Sequence, residues 1–188
     1  MQIAPVAQRA GIAAGTVYRY FPSKTDLVAE LVSSIAEREL AAMRAAADAA
    51  PGPLSALAAA IATFAGRALH ERRLSWAVIA EPVDAEVDAV RLDFRRMLAL
   101  ELETRIRSAI AGGHLPEQDA AIAAPAVVGA LMEALIGPLA PDHAADPGRA
   151  REAVQAATLL ALRGIGIVDA RARGLVAQTT LPKYRGDQ

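Results

Sequence analysis

Apolar and small residues at Ile3, Val6, Ala7 and Ala10 recur at the one-face spacing of a short helix. Gly11 is placed to end that helix, because a helix C-terminus favours a residue that tolerates a left-handed backbone. Ile12 is expected to pack back, and a second short helix to run from about Ala13 to Phe21. In such a two-helix corner Ala7 marks the closest approach and Val17 seals the underside. Ser23 is a natural N-cap with Asp26 at the third helical position, a near capping box that predicts a long helix to about Asp48. Leu27, Leu31, Ile35 and the Leu40–Met43 stretch form its apolar stripe.

Pro-Gly-Pro at 51–53 breaks the pattern. The next helix is expected from Leu54 to Arg72 with Leu57, Ile61, Phe64, Ala65 and Ala68 inward, followed by a short apolar segment stopping at Pro82. Asp84 caps a long helix to about Ala111, with Val87, Arg91, Phe94, Leu98, Leu102, Ile106 and Ile110 along one side. GGHLPEQD reads as a turn, and the apolar helix after it ends near Leu139, with Pro125 either kinking it or marking its effective start. PDHAADP reads as a loop, with Asp146 as N-cap and Pro147 at the first position of a last long helix ending near Gly164. The tail from Ile165 to Gln188 has room for one further short helix. No internal repeat and no strand-like alternation of useful length occurs, so the predicted class is all-α.

Composition changes this picture in few places. Alanine occurs 46 times, which favours helix but blurs every amphipathic stripe, since alanine is neutral in periodicity. The 188 residues suit one or two domains. Without cysteine, disulfides and thiolate zinc sites are excluded. The chain carries no uninterrupted charge-free apolar run of membrane-spanning length and no signal-peptide layout at its start, so no membrane partner and a cytoplasmic location are expected. A net charge of −1 argues against a general polyanion binder, but the first 25 residues hold Arg9, Arg19 and Lys24 and no acid.

The chemistry-bearing residues concentrate in that basic end. Thr16, Tyr18, Arg19 and Tyr20 are left over from packing in the second short helix, and a small exposed helix with such groups suits a DNA major groove. His70, His114 and His143 are scattered, and no HExxH, P-loop, GxGxxG or GxSxG motif occurs. The acids Glu81, Asp84, Glu86 and Asp88 suit a helix start, with Asp84 as cap, better than a metal site. No enzyme, metal or cofactor is expected. A buried charge at Arg91, on an otherwise apolar stripe, would need a partner.

The string AGIAAGTVYRYFPSKTDLVAEL at 10–31 resembles the DNA-binding signature of TetR-family transcriptional regulators. Gly11, Gly15-Thr16, the aromatic pair Tyr18 and Tyr20, and Phe21-Pro22-Ser23-Lys24 leading into a long helix carry the likeness. The resemblance implies a helix-turn-helix domain over 1–45 and a larger helical effector-binding and dimerisation domain over 46–188. It places DNA contacts on the second motif helix. Thr16 and Tyr18 would meet phosphate and base edges, Arg19 a guanine edge or phosphate, Tyr20 and Lys24 the flanking backbone, with Ala14 and Gly15 permitting close approach.

The implied partners are a double-stranded DNA operator, a small-molecule effector and a second copy of the chain, and the implied role is a repressor released by the effector. The effector pocket would fall among Phe64, Trp76, Glu81, Arg91, Phe94, Arg95, Leu98, Met132 and Glu133. Small residues at helical spacing on the last two long helices would form a homodimer seam. They are Val128, Leu131, Leu135 and Pro138 on one, and Ala150, Ala153, Val154, Ala157, Leu160, Ala161 and Gly164 on the other. A helical dimeric binding module that does not engage DNA is the alternative function. Family members usually carry a further helix of roughly twenty residues before the motif, and here Met1 directly precedes the first motif helix. The expectation is that this helix is missing, leaving Ile3, Val6, Val17 and Phe21 partly exposed and residues 1–22 mobile.

Overall fold

The chain alternates long helices with turns built on Gly, Pro and Asp, and the computed structural model, which describes residues 2–140 and 147–179, follows that plan. Among the described residues there are nine helices and no strand: α1 (Ile3–Arg9), α2 (Ala14–Tyr20), α3 (Lys24–Asp48), α4 (Pro53–His70), α5 (Arg72–Ile79), α6 (Ala85–Ala111), α7 (Ala120–Leu139), α8 (Pro147–Gly164) and α9 (Asp169–Gln178). Asp146, the expected cap of α8, and the tail beyond 179 lie outside the described residues.

Two cores share α3. A small one holds Ile3, Ala7 and Val17, with Ala14, Phe21 and Leu27 packed against it. The larger begins at Val32 and takes in Ile35, Leu40 and Met43 from the same helix. Leu31, expected on the stripe, turns outward, because Val32 holds the inward position. The expected exposure of the small core is corrected as well. Ile3 and Val17 are buried, since Ala14 of α2, Phe21 at its C-cap and Leu27 of α3 supply the wall. Val6 and Phe21 are half-buried.

α4 is enclosed on nearly all sides, packed by α3, α6, α7 and α8. Leu57, Ile61 and Phe64 fill the space between them, while Ala58, Ala60, Ala62 and Ala65 let the neighbouring backbones approach. The expected continuation to Arg72 does not occur. The backbone breaks at Glu71 (φ −97°, ψ 45°), and the apolar segment after it forms its own short helix, α5.

α6 spans Ala85–Ala111 behind Asp84 as expected, with Val87, Arg91, Phe94, Leu98, Leu102 and Ile106 all buried. Asp84 occupies the N-cap position, yet its side chain caps no backbone N–H. It instead accepts a hydrogen bond from the Thr25 hydroxyl at 3.4 Å. α7 passes through Pro125 without ending, and Asp119 caps it by accepting from the Ala121 N–H at 2.9 Å. α7 is long and apolar enough to cross a membrane by length and composition, a test that a buried core helix also passes, and its Val127–Val128, Leu131–Met132 and Leu135 side is buried in the larger core.

Candidate nucleic-acid interface

The α1–α2 turn is closed by main-chain bonds. The Gly11 N–H donates to the Gln8 carbonyl at 3.1 Å and the Ile12 N–H to the Ala7 carbonyl at 3.0 Å. This double bond pattern requires a left-handed residue between them, and Gly11 supplies it at φ +69°. Ile12 closes the turn with its backbone only, since its side chain is 45% exposed and does not pack back as expected.

α2 then presents its outer face. Tyr18 and Tyr20 are 52% and 68% exposed, Arg19 and Lys24 lie open to solvent, and Thr16 is half-buried. Phe21, and not Tyr20, turns into the small core, so both tyrosines are available. The Arg19 guanidinium lies 5.2 Å from the Tyr20 ring centroid, a cation–π contact that holds the two side chains together. Ala14 sits against the small core, while a Cβ added at Gly15 would meet nothing within 4 Å, so no internal packing demands that glycine.

A full capping box anchors the next helix. The Ser23 hydroxyl oxygen accepts from the Asp26 N–H at 3.1 Å, and Asp26 Oδ2 accepts from the Ser23 N–H at 2.9 Å. This fixes Lys24 at the first position of α3, beside the C-terminus of α2. The acid-free stretch over residues 2–25 therefore folds into one compact unit bearing Arg9, Arg19 and Lys24.

Two ion-pair groups tie α3 to α4 and α6. Glu39 is buried and takes a forked pair of bonds from Arg67 on α4, at 2.6 and 2.9 Å, with Arg38 Nε at 3.3 Å. Arg38 also reaches Glu71, at the α4–α5 break, at 2.6 Å. Further along, Glu101 on α6 meets Arg44 at 2.7 Å and Arg105 at 2.7 Å, and Arg105 meets Asp48 at 3.1 Å. Neither Glu39 nor Arg67 stands out in the sequence as a functional residue. The signal was an acid beside Ile35, Leu40 and Met43 and a base one turn after Phe64, each on a buried stripe.

Of the effector-pocket candidates, Phe64, Arg91, Phe94, Leu98 and Met132 are buried, and Phe64 meets Phe94 edge-to-face at 6.3 Å between centroids. Trp76 is half-buried against that core, whereas Glu81, Arg95 and Glu133 face solvent. Arg91 finds main-chain partners: Nη1 donates to the Glu81 carbonyl at 2.8 Å and Nη2 to the Ala77 carbonyl. Of the dimer-seam candidates, Val128, Leu131, Leu135, Val154, Ala157 and Ala161 are buried in their own chain. Ala150 and Ala153 are half-buried, and Leu160 is exposed. The outward stripe of α7 is a different set: Ile122, Ala126, Gly129, Ala130, Glu133 and Gly137. No group of three or more His, Asp or Glu side chains able to hold a metal occurs among the described residues.

Residues 1–31 match the family model described as bacterial regulatory proteins, tetR family. No curated protein matches the chain. Solved structures share its architecture. The fatty acid degradation regulator FadR from Bacillus halodurans aligns with a TM-score of 0.75 at 19% identity, covering 89% of this chain and 89% of that one. FadR from Bacillus subtilis in complex with stearoyl-CoA gives 0.72 at 17% identity, again with 89% of each chain covered. RolR in complex with resorcinol gives 0.71 at 21% identity over 97% of this chain and 85% of that one. At these identities the likeness is one of fold. The family-model match adds that residues 1–31 resemble the N-terminal region of bacterial regulatory proteins of the tetR family.

Proposed function

We propose that this chain, TetR-like in its first 31 residues and in its fold, is a homodimeric transcription regulator that represses from a double-stranded DNA operator until a small-molecule effector releases it. The observation that carries this reading is the exposed α2 face. Tyr18, Arg19, Tyr20 and Lys24 stand out from a segment with no carboxylate, backed by a core of its own. Arginine can fork onto a guanine edge, and hydroxyl and ammonium groups position a protein on phosphates. Gly15, which nothing inside requires, leaves the start of α2 open to the DNA backbone.

Three positive side chains make a weak patch, and two copies double it. The outward stripe of α7, small and apolar apart from Glu133, supports a second copy as the partner, as do the exposed Ala156 and Leu160 of α8, because small residues let helices of two chains approach closely. Two-fold symmetry then sets two recognition helices against successive major grooves, about 34 Å apart. An effector held in the larger domain would act by population shift, favouring a helix spacing that no longer fits the DNA. The ion pairs from α3 to α4 and α6 couple the two parts mechanically. Such a protein works in the cytoplasm.

Fluorescence anisotropy with duplex fragments flanking the protein's own gene tests the reading. Binding should select one fragment over random duplex. Lys24→Ala should weaken binding to every sequence and lower the salt slope by about one unit per protomer, so about two for a dimer. Failure to prefer any fragment over random duplex overturns the regulator reading. An unchanged slope and affinity in Lys24→Ala removes Lys24 from the interface.

A further inference from the structure

Arg91 stands apart from the other inward-facing arginines. Arg67 and Arg105 are each matched to a carboxylate, Glu39 and Glu101 respectively. Arg91 is 8% exposed, and among the described residues no carboxylate forms an ion pair with it. Its Nη1 and Nη2 reach only the main-chain carbonyls of Glu81 and Ala77, and its buried Nε–H has no partner at all. Burial pushes the pKa of the group down, with the Asp88 and Glu81 charges opposing and Arg95 reinforcing the shift. A guanidinium nevertheless keeps its proton in a protein. The larger domain thus holds a covered positive charge with one donor unspent, and such a charge is costly without an anion.

We infer that Arg91 receives the carboxylate of an otherwise apolar effector, a deepening that rests on the effector-released regulator proposed above. Nε and Nη2 form the side edge of the guanidinium fork, whose two parallel donors match the two oxygens of a carboxylate. A carboxylate seated there satisfies Nε and takes Nη2 from the Ala77 carbonyl, while Nη1 keeps Glu81. The surroundings select the rest of the molecule. Phe94 and Leu98 follow Arg91 on the same buried face of α6, and Phe64 crosses the Phe94 ring from α4. A polyol or sugar would find no second buried polar group on that face. A phosphate dianion would need more donors than one fork edge offers.

Calorimetric titration of the wild-type chain tests this with saturated monocarboxylates from hexanoate to hexadecanoate and with benzoate, each against the alcohol of the same skeleton. At least one carboxylate should bind once per chain, and its alcohol should bind roughly tenfold more weakly or worse. Arg91→Gln should lose a similar factor, and Arg91→Lys, which keeps the charge without the fork, should recover part of it. Helicity and melting are followed for both variants. If Arg91→Gln does not fold, Arg91→Lys and the carboxylate–alcohol comparison decide. Equal binding of acid and alcohol, no binding of any carboxylate, or unchanged binding in a folded Arg91→Gln each overturns the inference. These titrations contain no DNA. A chain that binds a carboxylate but selects no duplex overturns the regulator reading alone, and one that selects a duplex but binds no carboxylate overturns this inference alone.

Discussion

Replacing Glu39 by Ala should be among the most destabilising single changes that leave the apolar core intact. Its carboxylate accepts two bonds from Arg67, at 2.6 and 2.9 Å, in a site where the two side chains keep 11% and 20% of their exposure. Removing one member of a buried ion pair costs about 3–5 kcal/mol, because the remaining charge loses its counter-ion without regaining water. Arg67 keeps a fifth of its surface, so the expected loss is nearer 2–4 kcal/mol. The neighbouring Arg38–Glu71 pair, at 47% and 35% exposure, gives the contrast: Glu71→Gln should cost no more than about 1 kcal/mol. Urea unfolding measures both as shifts in midpoint at unchanged slope. A cycle with Arg67→Met separates the pair from the packing, and the double variant should recover most of the stability lost in Glu39→Ala. A loss below about 1 kcal/mol in Glu39→Ala, or strict additivity in the cycle, would show that the forked pair contributes no coupling and that α3 and α4 are held by apolar packing alone.

Two further outcomes follow from placement on the surface. Ala130 sits mid-way along the outward stripe of α7, so Ala130→Arg should convert a sedimenting dimer to a folded monomer with little change in melting, whereas Ala157→Arg, buried in its own chain, should unfold it; a wild type already monomeric at micromolar concentration sinks the α7 seam. Asp169 accepts from Arg173 and Arg163, which hold its carboxyl below its ordinary 3.8; its contribution to seating α9 is present above that value and is lost as pH falls through the depressed one, so carboxyl NMR should find a midpoint under 3.8 that rises in Arg173→Gln, and a midpoint at or above 3.8 in the intact chain refutes the contacts.

Local signals carried the N-terminal unit. Gly11, the Ser23–Asp26 pair and the Ala7–Val17 corner all depend on neighbours within a few residues, and each appears as expected. α6 was equally legible, because polar residues interrupt its apolar stripe at every turn. α7 was not. It is apolar on nearly every side, so periodicity cannot choose which side meets the core, and Val128, Leu131 and Leu135, expected at a partner seam, are buried within their own chain. The break at Glu71 escaped for another reason: helix-favouring residues continue through it, and the contact at that point comes from Arg38, 33 residues away. The need of Arg91 for a partner was visible in the stripe, but the two carbonyls that partly meet it come from the end of α5, which no pattern in α6 discloses.

α3 is a single rod shared by two cores of very different size. At its N-terminal end, Ile3 and Val17 are the large buried side chains among the described residues, worth up to roughly 1.5–3 kcal/mol apiece, while the larger core gathers many times that burial. Helix continuity transmits position along the rod but not free energy of folding. The α1–α2 unit therefore opens on its own account, at a local cost well below that of the whole chain, with the rest of α3 still seated. A bound duplex, by mass action, would add its binding free energy to that end first. The small N-terminal unit and the larger core would then exchange and digest on separate clocks, the smaller unit's being the faster while no duplex is bound.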